Sequence, residues 1–175
     1  MPEAPNAGRP RVLVADPDPE ISALLARQLE WAGYDVSTAG NGRDALDLVT
    51  RLRPAALVLE VKMDLMTGYQ VVRTLREDPR NRLMPVVMIS ARAGKLDRDF
   101  AFTVGADEYV KKPFLGSDLV ARLAMLVPSP VGVKPPAPTP VEPSTKPLVR
   151  RERRTPIAPV TRRPLTPVPA FAGRY

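Results

Sequence analysis

Four side chains able to do chemistry stand at the ends of short apolar runs. Asp16 follows Arg11-Val12-Leu13-Val14-Ala15, and Glu60 closes Ala56-Leu57-Val58-Leu59. Ser90 closes Pro85-Val86-Val87-Met88-Ile89, and Lys112 lies just past Glu108-Tyr109-Val110. The runs have the length and apolar character of buried parallel strands. Ligand sites in open α/β sheets sit at the carboxyl ends of such strands. Two acids, a hydroxyl and a lysine beside Pro113 then make an oxygen-rich site with one strong cation. Pro17, next to Asp16, contributes no side-chain oxygen. The chain has no histidine and no cysteine. That removes the usual general base, the commonest metal ligand, disulfides and thiolate metal sites.

The elements that must position these residues alternate five times along the chain. A first strand over 11–15 leads to Asp18-Pro19, an N-cap followed by proline at the first helical position. The helix runs to about Trp31, ends at Gly33, and carries Ile21, Leu24, Leu25 and Leu29 on one face. A second strand spans 34–39, and Asn41-Gly42 opens a helix through Arg53 that Pro54 stops. The third strand ends at Glu60, and after the loop 61–67 a helix starts at Gly68 and reaches about Asp78. A fourth strand over 85–90, a helix over about 96–104 ending at Gly105, a fifth strand over 108–110 and a last helix over about 117–126 complete the series. Strands alternating with helices of this length predict a parallel sheet covered on both faces. Right-handed crossovers make it a doubly wound α/β domain.

Several stretches resemble the receiver domain of bacterial response regulators. They are Val12-Leu13-Val14-Ala15-Asp16-Pro17-Asp18-Pro19, Leu57-Val58-Leu59-Glu60-Val61, Met66-Thr67-Gly68, Pro85 to Ala91, Gly105-Ala106-Asp107-Glu108-Tyr109 and Lys111-Lys112-Pro113-Phe114. They cover about residues 11–127 in that family's order and spacing. The resemblance implies a flavodoxin-like five-stranded sheet of order 2-1-3-4-5. In that family an acidic pair after the first strand and an aspartate after the third hold Mg²⁺. The aspartate takes up a phosphoryl group, and a lysine and a Ser/Thr contact its oxygens. Catalysis there is mostly electrostatic. Carried over residue by residue, Asp16 is the first acid and Pro17 stands where the second is lost. Glu60 occupies the phosphoacceptor position, Ser90 and Lys112 are the phosphate contacts, and Tyr109 is the switch aromatic. Lys112-Pro113 resembles the family's cis peptide, an isomer tolerated only before proline.

These departures give the expectation of a degenerate pseudo-receiver that is not an enzyme and that binds Mg²⁺ weakly or not at all. Mg²⁺ demands near-octahedral oxygens, and a direct carboxylate is missing. Asp16, Glu60 and Lys112 together leave one net negative charge, which Lys62, turned inward, would cancel as a substitute for the metal. Glu60 either imitates the phosphorylated state, holding Ser90 and Tyr109 inward, or fills a dead site. A carboxylate is planar and singly charged, so any mimicry of a tetrahedral phosphoryl group is partial. Asp64 is a spare carboxylate too far along the loop to serve as acceptor. Phe100 and Phe102 are two apart on one helix, so both cannot face the core. One of them belongs to the surface of the fourth helix, fifth strand and fifth helix, which in the family serves partners and dimers.

The net charge of +7 divides unevenly, because from Pro128 onward nine Lys/Arg face two acids, so residues 1–127 are neutral. Thirteen of the 22 prolines also lie there. The domain division is therefore a disordered N-terminus over 1–10, a receiver-like domain over 11–127 and a disordered Pro/Arg-rich tail over 128–175. The tail has polyproline II character. Thr155 and Thr166 precede prolines near arginine pairs and could accept phosphate. No apolar run approaches the ~20 residues that span a bilayer, and the first eleven residues lack a signal-peptide core. A cytoplasmic protein is the default. The leading expectation is a stand-alone atypical response regulator acting by phosphorylation-independent protein–protein contact, with a homodimer possible. The alternatives are a DNA- or RNA-binding protein working through its basic tail, with the receiver as dimerisation module, and a phosphorylatable single-domain response regulator.

Overall fold

The computed structural model describes residues 8–91 and 94–128. The expectations for the first seven residues and for the tail beyond 128 fall outside the described residues. Five strands and five helices alternate: β1 (Arg11–Ala15), α1 (Pro19–Trp31), β2 (Asp35–Ala39), α2 (Gly42–Leu52), β3 (Ala56–Glu60), α3 (Gly68–Glu77), β4 (Val86–Ser90), α4 (Lys95–Val104), β5 (Glu108–Lys111) and α5 (Gly116–Leu126). The strands form one parallel sheet of order β2-β1-β3-β4-β5. This is the flavodoxin-like receiver architecture expected from the motifs.

The helix starts follow from side chains that satisfy the free amides of a first turn. Asp18 accepts from the amides of Glu20 and Ile21. Asn41 accepts from the Asp44 amide, and Thr67 and Gln70 form a reciprocal capping box. Gly105 ends α4 in the left-handed region at φ 114°, which glycine adopts without steric penalty.

Alternate residues of each strand feed two cores, as a period of two requires. Leu13, Leu57, Leu59 and Met88 pack under α2, α3 and α4 with Val49, Val72 and Ala101. Val12, Val14, Val58, Val87 and Ile89 pack under α1 and α5 with Leu25, Leu29, Leu119 and Leu123. Two details of the sequence reading change. Leu24 is half exposed and Ser22 is buried in its stead, so the inner stripe of α1 runs 22-25-29. Tyr34 precedes β2, because its amide still donates to Leu29 O at the end of α1. Phe100 is exposed, while Phe102 packs partly against the core, which is the division their spacing requires.

Candidate functional site

Asp16, Glu60 and Ser90 are buried side by side at the carboxyl edge of the three central strands, although all three are polar. Burying a charge is costly unless it is paired and hydrogen-bonded, and here both carboxylates are. Lys112 Nζ lies 2.7 Å from Asp16 Oδ2 and 2.6 Å from Glu60 Oε2. The second oxygen of each acid accepts from the backbone: Asp18 N–H donates to Asp16 Oδ1 at 2.9 Å, and Lys62 N–H donates to Glu60 Oε1 at 3.1 Å. The two acids therefore close on one lysine through their inner oxygens and on loop amides through their outer ones.

The lysine reaches the centre because β5 stops just short of it. The Lys112 amide donates to Ser90 O at 2.8 Å, and the Lys112-Pro113 peptide bond is cis. Burial alone pulls the Lys112 ammonium down, but hydrogen bonds and charge from Asp16 and Glu60 outweigh it and hold its pKa above the ordinary lysine value. On the opposite side, Gly68 at the first position of α3 lies against the backbone of Glu60. A Cβ there would sit 2.4 Å from Glu60 O.

Lys62 is a correction. Its side chain is exposed, and only its backbone N–H joins the pocket. The residue alternates with buried Val61 and Met63, so the extended loop sends its side chain outward. Pro17 and Asp64 are likewise exposed. Tyr109 is buried against the core under α2, α3 and α4. Among the described residues no three Asp, Glu, His or Cys are grouped so as to hold a metal ion.

One support was not legible from the motifs. Arg76 on α3 donates to Gly105 O and Met84 O and pairs with Asp107 at 2.8 Å. Asp107 in turn accepts from the Val86 amide, so one arginine ties the starts of β4 and β5 together. Gly105-Ala106-Asp107 was visible in the sequence, but nothing there named Arg76 as its partner.

A parallel 2-1-3-4-5 sheet with acids, a hydroxyl and a lysine converging at its carboxyl edge defines a receiver-type α/β domain. The chain belongs to the response regulator receiver domain family, whose sequence model matches residues 12–124. It is a receiver domain of two-component signalling. It is 42% identical over 118 residues to the transcriptional regulatory protein PrrA of Mycobacterium leprae, covering 67% of this chain and 50% of that protein. It is 37% identical over 118 residues to the DNA-binding dual master transcriptional regulator RpaA of Synechocystis, covering 67% of this chain and 49% of that protein. The chain thus spans about half the length of the curated relatives it matches. Among solved structures, Vibrio cholerae chemotaxis protein CheY4 superposes with a TM-score of 0.65 at 28% identity, covering 68% of this chain and 99% of that one. The Francisella response regulator 1452 receiver domain gives 0.64 at 30% identity, covering 67% and 96%.

Proposed function

We propose that this chain is a pseudo-receiver that signals by protein–protein contact without phosphoryl transfer. The observation that carries the reading is the ion pair between Glu60 and Lys112 at 2.6 Å, shared with Asp16 at 2.7 Å. The acceptor position holds a glutamate, its inner oxygen faces an ammonium, and its outer oxygen is held by an amide. The lysine that would meet an incoming phosphoryl group already serves two carboxylates. The donor set does not fit Mg²⁺: two carboxylates face each other across a lysine, and Pro17 adds no oxygen, whereas that ion asks for six near-octahedral ligands. Buried Tyr109 supports the reading that Glu60 holds an active-like state, with α4, β5 and α5 offering a partner surface.

The test is intact-mass spectrometry after incubation with a small-molecule phosphodonor and Mg²⁺. The wild type gains no base-labile phosphoryl group, and the double variant Glu60→Asp/Pro17→Asp, which restores both family acids, gains one. Base-labile phosphate on wild-type Glu60 would falsify the proposal. A second reading has its own support: the whole net charge of +7 lies beyond residue 127. On that reading the tail binds a polyanion and the receiver serves as the dimerisation module.

A further inference from the structure

α1 and α5 leave an open groove of about 480 Å³ between them, lined by Arg27, Gln28, Trp31, Gly116, Ser117 and Val120. Its lining is mostly apolar, and Trp31 at the end of α1 is 91% exposed. Gln28 lies against Gly116, and its Oε1 is buried without a hydrogen-bond partner among the described residues. The groove therefore offers an exposed aromatic wall.

We propose that the segment Pro135-Pro136-Ala137-Pro138-Thr139-Pro140 of this same chain docks in this groove against Trp31. Proline-dense segments are pre-set near polyproline II and bind aromatic-lined grooves at low entropic cost. Reach permits it. The 11 residues of α5 span about 16 Å at 1.5 Å each. The seven residues from Pro128 to Pro135 extend to ~23 Å, enough to return from the end of α5 to Gly116. Charge selects this segment over residues 150–163, and its shorter tether selects it over the uncharged, proline-rich residues 164–169. Residues 135–140 carry no charge, whereas residues 150–163 carry six arginines, which would face Arg27. Because the segment is tethered, its effective concentration is in the millimolar range, so weak contact suffices.

Trp31 is the sole tryptophan of the chain, and its fluorescence reads the groove directly. The experiment compares the full-length protein with a full-length variant carrying Pro135→Ser, Pro136→Ser, Pro138→Ser and Pro140→Ser. In the wild type Trp31 emission is shifted to the blue and acrylamide quenches it less. In the variant both revert to values of an exposed indole, with an unchanged far-ultraviolet circular dichroism spectrum. The wild-type signal is independent of protein concentration. Identical emission and quenching in the two proteins would overturn the proposal. Protection lost on dilution would overturn it in favour of a second copy as occupant. Protection lost only on replacing the arginines of 150–163 would assign the groove to the wrong segment.

Discussion

Among the described residues, Lys112 is the only cation brought to the two buried carboxylates, and the site's stability turns on it. The pair is desolvated, so removing one partner leaves charge without compensation. Lys112→Met is expected to destabilise the fold by ~3–5 kcal/mol at neutral pH, the range for breaking a buried pair. The pH dependence has a definite sign. A lysine whose folded pKa is raised gives its full stabilisation below the unfolded value of about 10.4 and loses it as pH rises through the folded value. Urea denaturation of wild type and Lys112→Met should show a constant gap through neutral pH and a narrowing one in alkali. Tyr34, raised by burial and donating to Val127 O at 2.7 Å, loses stability in the same direction. It does so in both proteins and cancels in the difference. A gap that stays constant in strong alkali would assign the stabilisation to packing of the lysine stem. The residue identities of this site were legible because strand ends converge in a parallel sheet. The partner choice was not, since one lysine bridging both acids depends on loop paths. Lys62 shows why: its amide and its side chain point to opposite sides of the same loop.

The junction of β3 and α3 sets the position of Glu60. Gly68 donates its amide to Val61 O at 2.9 Å, and a Cβ on it would meet Glu60 O at 2.4 Å and Val61 Cα at 3.0 Å. Those atoms are backbone, so no side chain can swing aside. Gly68→Ala should therefore cost ~1–3 kcal/mol, the range for overpacking, and displace the loop that carries the Lys62 amide. Gly40→Ala, with nothing within 4 Å of the added carbon, is the matched control and should change little. Equal chemical-denaturation midpoints for the two variants would show that the junction yields freely. Element type and order were readable because caps and breakers bracket each apolar run. Asp18-Pro19 and Asn41-Gly42 cap helices where their chemistry predicts, whereas the Thr67–Gln70 capping box emerged only from the structure. Boundaries moved by a residue or two where tertiary contacts decide, as at Tyr34. The open face between α1 and α5 was invisible from periodicity, since the width of a groove is set by how two helices settle on one sheet.

Across the whole molecule, charge is segregated along the sequence. Residues 1–127 hold equal numbers of basic and acidic side chains, and the rest hold nine Lys/Arg against two acids. On the second reading a neutral receiver is joined to a polyanion-binding segment, and salt separates the two ways of binding that it implies. If the six arginines of residues 150–163 each neutralise one phosphate of duplex DNA, log affinity falls against log salt with a slope of roughly −5. Replacing Arg162 and Arg163 by serine should make the slope shallower by about 2, measured by fluorescence anisotropy on a labelled duplex over a salt series. The proline-to-serine changes in 135–140 remove no charge and should leave that slope alone, which keeps polyanion binding distinct from docking on Trp31. A wild-type slope that survives the arginine changes would move binding onto the neutral folded body. There basic and acidic side chains are equal in number, and DNA binding by net charge loses its physical basis.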